Sequence, residues 1–188
     1  MTSPDTKQQI LDTARAMVQA SGYNALSFRE IGKAIGIKSA SIHYHFPTKG
    51  NLAAALARRY TDDAAGYFAE LLASPPDAAA WSRGYIAAFR QALMDDNRMC
   101  LYGVMAAEYG DLPPEVRVEV DRFAVVNVEW LTKLLALHLP KAEIDALRAQ
   151  AQAVFAAIEG AQLMARGKGD VTVFDATIAT YRALGIMP

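Results

Sequence analysis

An all-α fold is predicted by three features of the 188-residue sequence: alanine at 36 positions, glycine and proline gathered at a few break points, and apolar residues recurring at helical spacing. Hydrophobic residues make up 53% and charged residues 21%, so the chain can bury a core and is not a disordered tail. No stretch alternates apolar and polar residues between hairpin turn pairs, and no internal repeat is visible.

The elements follow in order. Over residues 5 to 21, Ile10, Leu11, Ala14, Met17 and Val18 share one stripe of an amphipathic helix that ends at Gly22. Ser27-Phe28-Arg29-Glu30 has the form of a capping box, which starts a short helix carrying Ile31, Ala34 and Ile35 inward and stopping at Gly36. A third helix runs from Ser39 to about Tyr44. Pro47 cannot continue it, and Thr48 is placed to cap a fourth, from Lys49 to about Ala73, which leads out of the head into the body. Further breaks at Ser74-Pro75-Pro76-Asp77, Asp111-Leu112-Pro113-Pro114, Leu139-Pro140 and Gly167-Lys168-Gly169-Asp170 leave four or five more helices. The expected organisation is a head of residues 1–50 and a body of residues 51–188.

Composition narrows the chemistry. A single cysteine, Cys100, excludes an internal disulfide framework and a cysteine-based zinc site, and in an apolar run it reads as a small buried hydrophobe. No stretch approaches the ~20 apolar residues of a membrane span, and Thr2-Ser3-Pro4-Asp5-Thr6-Lys7 has no basic start followed by an apolar run, so a cytoplasmic protein without membrane contact is expected. The net charge of −1 hides an asymmetry: residues 1 to 60 carry eight Lys or Arg against three Asp or Glu, net +5, whereas residues 61 to 188 carry eleven against seventeen, net −6. A basic head on an acidic body suggests a polyanionic partner for the head alone.

Two short helices joined through Gly36 and Ile37, braced by the helix before them, form a helix-turn-helix whose second short helix is narrow enough to enter a DNA major groove. Ser39 and Ser41 can hydrogen-bond base edges, Ala40 can rest on a thymine methyl, and Lys38 can reach a guanine edge or a phosphate. His43, Tyr44 and His45 close that helix, with Lys49 just beyond, where phosphate contacts would fix the register. Arg29 and Ser27 on the preceding helix complete the candidate set. A metal is not expected at His43 and His45, because residues two apart on a helix point about 200° from one another. No cofactor is expected either.

Gly22-Tyr23, Ser27, Ile31-Gly32, Ala34-Ile35-Gly36-Ile37, Ser41-Ile42-His43-Tyr44-His45-Phe46 and Thr48-Lys49-Gly50-Asn51-Leu52 resemble the DNA-binding signature of the TetR family of transcriptional regulators. The pattern covers roughly residues 8 to 52 at fixed spacing. It departs at Lys38, where the family often has a small capping residue, and at His43, where a tyrosine commonly precedes the position of Tyr44.

The body carries large side chains at helical spacing, and most of them read as core. The resemblance implies, in addition, a cavity for a small molecule among the middle helices, with Tyr67, Trp81, Tyr85, Phe89, Tyr102, Met105, Phe123 and Trp130 as its candidate lining. Residues 144 to 164 are apolar on two faces: Ile144, Leu147, Ala151, Val154 and Ile158 on one, Ala149, Ala153, Ala156, Ala157, Gly160 and Met164 on the other. The second face, with Phe174, Ile178 and Tyr181 of the last helix, suits a four-helix homodimer interface, although a helix buried wholly within one subunit would show the same two faces. The expected protein is a homodimeric repressor that reads a near-palindromic operator in double-stranded DNA and is released by a small-molecule ligand; the alternative is a ligand-independent architectural protein with the same head. An enzyme is not expected, since no nucleophile, base and orienting group stand at recognisable spacing and no glycine-rich phosphate loop occurs.

Overall fold

The computed structural model describes residues 5–73 and 77–188. Among them the chain forms nine α-helices and no strand: α1 (Thr6–Ser21), α2 (Phe28–Ile35), α3 (Ser39–His45), α4 (Lys49–Ala73), α5 (Ala78–Met94), α6 (Leu101–Ala107), α7 (Pro114–His138), α8 (Ile144–Lys168) and α9 (Val171–Ala183), with 3-10 turns at Tyr23–Ala25 and Tyr109–Asp111. The segment before Asp5 and the Ser74-Pro75-Pro76 break lie outside the described residues. No described helix is long and apolar enough to cross a membrane.

Local chemistry sets the boundaries. Asp5 accepts the Lys7 N–H at the start of α1, Thr48 Oγ1 accepts the Asn51 N–H (3.0 Å) at the start of α4, and the Asp77 carboxylate accepts the Ala79 and Ala80 N–H groups at the start of α5. The capping box of α2 is made in one direction: Ser27 Oγ accepts the Glu30 N–H at 3.5 Å, while the Glu30 carboxylate takes the Lys33 ammonium at 2.9 Å. Between α5 and α6 the chain turns without glycine or proline, through Asp96 (φ 59°) and Asn97 (φ 53°), the residue types that tolerate the left-handed region.

Packing groups the chain into two compact units. The first joins the described residues up to Asp62 with Leu101–Phe123. Its core takes Ile10, Ala14 and Val18 from α1, Ile31 from α2, Ile42 from α3, Leu52 and Leu56 from α4, and Leu101, Met105, Leu112, Val116 and Val120 from the distant segment. The second joins the described residues of Asp63–Cys100 with Ala124–Pro188, where α8 packs along α9 and both meet α5. Its buried residues include Phe68, Tyr85, Phe89, Trp130, Val154, Ile158, Phe174 and Ile178. α4 and α7 each contribute residues to both units.

Candidate nucleic-acid interface

The helix-turn-helix is built on two glycines with different tasks. Gly36 closes α2 in the left-handed conformation (φ 74°, ψ 27°), which reverses the chain toward α3. Gly32 lies where the two helices meet: a Cβ there would fall 2.7 Å from the Ile37 carbonyl oxygen, so only glycine admits the approach. Because α2 turns Gly32 and Ile31 inward, Ala34, expected inside, faces solvent. Ile42 is fully buried and Phe46 nearly so, and together they fix the roll of α3 on the first unit's core.

That roll decides which side chains are presented. Lys38, Ala40, Ser41, His43 and Tyr44 are exposed, Ser39 and His45 are half-buried, and Tyr44 stands 86% exposed although it is a large aromatic. Lys38 occupies the cap position of α3, where an ammonium, having no acceptor, cannot cap the helix N–H groups, and its side chain is exposed. The Arg29 side chain on α2 is 81% exposed, and it lies 4.0 Å from the Glu30 carboxylate. The exposed groups at the start of α3 and along it present polar and basic side chains outward, as direct readout and phosphate contact require, and Arg29 adds a charge from α2.

Other expected contacts are engaged within the chain. The Lys49 ammonium donates to the Asn24 carbonyl (3.0 Å) and sits 4.4 Å from the centre of the Tyr23 ring; burial holds its pKa below the ordinary lysine range, opposed by the charge of Glu108. His43 Nδ1 lies 3.3 Å from the Pro47 carbonyl oxygen and its ring meets Phe28 edge-on. The Ser27 hydroxyl accepts the Glu30 N–H as a cap and keeps its own O–H to donate. Glu108 accepts the Tyr23 N–H and Asp111 accepts from the Asn24 amide at 3.1 Å, so the segment after α6 holds the turn between α1 and α2.

The expected ligand-lining set divides between the two packing units. Tyr85 stacks on Trp130 (5.0 Å, 13°), Trp130 on Phe68, and Phe89 meets Tyr85, while the Tyr85 hydroxyl donates to Asn127 Oδ1 at 2.8 Å. Tyr67 donates to the Gly84 carbonyl, and Trp81 is buried with its ring N–H unpartnered. Tyr102, Met105 and Phe123 lie in the other unit, around a hollow of about 10 Å³, the size of a single water site. Of the expected dimer residues, Ala149, Ala153, Ala156, Gly160 and Met164 are exposed and Ala157 and Tyr181 half-buried, whereas Phe174 and Ile178 are packed inside their own chain.

Glu159 is a group that periodicity did not single out. Its two carboxyl oxygens are buried, and burial pushes its pKa up to about 7, with a hydrogen bond from the neighbouring Cys100 thiol working against the shift. Beside it Gln162 bridges the Cys100 N–H and the Phe89 carbonyl, each at 2.8 Å. The one signal in the sequence is an acid set between Ile158 and Ala161 in an otherwise apolar stretch.

A helix-turn-helix with a free outward face on an otherwise all-helical chain defines a DNA-binding regulator. Comparison with known proteins gives the family. The model described as "Bacterial regulatory proteins, tetR family" matches residues 10–56. A TetR transcriptional regulator from Legionella pneumophila superposes with a TM-score of 0.91 at 31% identity, covering 98% of this chain and 99% of that one. A TetR-family regulator from Agrobacterium tumefaciens gives 0.84 at 32% identity, over 91% of this chain and 92% of that one. The HTH-type transcriptional repressor KstR2 of Rhodococcus jostii (strain RHA1) is 32% identical over 74 residues, 39% of this chain and 36% of that protein, so the match spans about a third of that relative. The chain belongs to the TetR family of transcriptional regulators.

Proposed function

We propose that this regulator is a cytoplasmic homodimeric repressor, whose two heads hold the half-sites of a near-palindromic operator and let go when a small molecule binds the body. Residues 1–50 serve as the reading head and residues 51–188 as the ligand-binding and dimerising body. The observation that carries the reading is the outward face of α3, where Lys38, Ala40, Ser41 and the 86% exposed Tyr44 are left uncovered while Ile42 and Phe46 are anchored below. In this reading Ala40, Ser41 and Ser39 meet base edges, while Tyr44, His45, Lys38 and Arg29 contact base edges or phosphates. Lys49 and His43 hold the surrounding backbone.

Two-fold symmetry requires half-sites one helical turn of DNA, or a multiple of it, apart. A ligand that favours another separation of the heads drains the DNA-competent state, and a coupling of about 1–3 kcal/mol is enough for a ~5–150-fold change in operator affinity. α4 and the Leu101–Phe123 segment, through Glu108 and Asp111, are the elements that carry the change. The test is selection of bound duplexes from a random library by the purified protein. A near-palindrome with matched half-sites is expected; an enriched single half-site without symmetry, or no enrichment in dilute salt, rejects the reading.

A further inference from the structure

α5 and α9 are separated by a groove of about 300 Å³, lined by Arg83, Ile86, Ala87 and Arg90 of α5 and by Asp175, Ile178, Ala179 and Arg182 of α9. On α5 the two arginines are seven residues apart, two helical turns or about 10 Å, and Asp175 and Arg182 stand at the same spacing on α9. Arg90 pairs with Asp175 through two hydrogen bonds of 2.8 and 3.0 Å, which closes one end. At the other end stand Arg83 and Arg182. Arg182 donates to the main-chain oxygen of Pro188 at 3.1 Å and to the Ser82 hydroxyl at 3.4 Å, whereas the exposed Arg83 side chain has neither ion pair nor hydrogen bond among the described residues.

Three guanidinium groups therefore line this groove, and its one lining carboxylate, Asp175, is paired with Arg90 at one end, in a stretch of sequence, residues 61 to 188, whose net charge is −6. The floor is apolar: Ile86 and Ile178 are buried beneath it, and Ala87 and Ala179 leave it open. A guanidinium fork matches the oxygens of a carboxylate or phosphate, and the adjacent floor matches a short hydrocarbon. We propose that the α5–α9 groove is a binding site for an organic anion with an apolar tail, its head held by Arg83 with Arg182 and its tail laid over Ala87 and Ala179 toward the Arg90–Asp175 pair. The site is separate from the aromatic cluster around Tyr85 and Trp130, and it does not depend on how the regulator is released from DNA.

The test is titration of the full chain, at constant ionic strength, with sodium octanoate and with octyl phosphate, followed by calorimetry and thermal unfolding, with octan-1-ol and octylamine as controls. Saturable binding of at least one anion is expected, and its identity tells whether a carboxylate or a phosphate head is preferred. Arg83→Gln should weaken that binding about tenfold or more, as loss of a charge-assisted contact does, without changing the unfolding temperature of the free protein. Ala179→Phe, which fills the floor from an exposed position, should abolish it. The proposal is overturned if neither anion binds, if octanol binds as well as octanoate, if Arg83→Gln binds unchanged, or if Arg83→Gln alters the oligomeric state, which would make the groove a contact between copies of the chain.

Discussion

The Glu159 carboxyl oxygens are buried, with only the weakly donating Cys100 thiol set against the cost of that burial, so its ionisation is coupled to folding. Its pKa of about 7 in the folded chain lies above the ordinary carboxylate value of 4.5, so between those values the native state holds a proton that the unfolded chain has lost. The contribution is present below the lower value and disappears as pH rises through the upper one, a loss of at most about 3 kcal/mol. Glu159→Gln should therefore stabilise the protein at pH 8 and leave it nearly unchanged at pH 5. Urea titrations at the two pH values check this, and equal shifts at both would show that the carboxyl is solvated or paired. On the DNA-facing side, Lys38 offers a cleaner probe than Lys49, because Lys49 also braces Tyr23 and Asn24. Lys38→Ala should weaken binding on operator and random duplexes alike and lower the slope of log K against log salt by about one, without loss of stability. An unchanged slope would remove Lys38 from the phosphate contacts.

At the scale of elements, the α2–α3 corner separates strain from collision. Gly36→Ala places a Cβ in open space at φ 74°, which costs about 1–2 kcal/mol in backbone strain and leaves the corner intact. Gly32→Ala instead drives a methyl group to 2.7 Å from the Ile37 carbonyl oxygen, so α3 must move. Gly32→Ala should abolish operator binding at a stability cost of about 1–3 kcal/mol, whereas Gly36→Ala should keep most binding at a comparable cost. Parallel unfolding and DNA titrations decide between them, and the same binding loss in both variants would mean that stability alone governs recognition. This contrast also shows what was legible in advance. Helix starts at Ser27 and Thr48 and the stop at Gly36 could be read because capping is a property of neighbouring residues. The turn at Asp96 and Asn97 carries no glycine or proline, so no neighbouring residue marks it in the sequence. The environment of Glu159 and the division of the aromatic residues between two packing units depend on chain segments far apart in sequence, whereas the need for glycine at position 32 comes from Ile37, only five residues on, and shows once the α2–α3 corner is folded. Periodicity tells that Tyr85 and Phe123 point inward but not that they enter different units. It places Phe174 and Ile178 on an apolar face without showing that their own chain already covers it. The outward candidates of α3 emerged more clearly, since a seven-residue helix anchored by Ile42 has few ways to face.

For the whole molecule the question is assembly, and α8 allows it to be asked without disturbing the monomer. Ala149, Ala153, Ala156 and Gly160 leave a shallow exposed strip flanked by Leu163 and Met164, 58% and 56% exposed, a surface with more apolar area than a solvated helix needs. A Cβ added at Gly160 meets nothing within 4 Å among the described residues, and the position is exposed, so a larger residue there can extend into solvent unless a partner covers it. Replacing a mid-helix glycine also favours the helix by up to about 1 kcal/mol. Gly160→Arg is therefore expected to unfold at the same temperature as the parent protein or higher when dilute. If the proposed dimer forms through this strip, light scattering should show the variant as a single chain at concentrations where the parent runs as two. A lone head loses the gain of simultaneous engagement, so operator affinity should fall by about 100-fold or more while contact with an isolated half-site stays nearly constant. Should Gly160→Arg remain dimeric and bind the full operator as before, the subunits must meet through another face, and the half-site spacing has to be derived from that geometry instead.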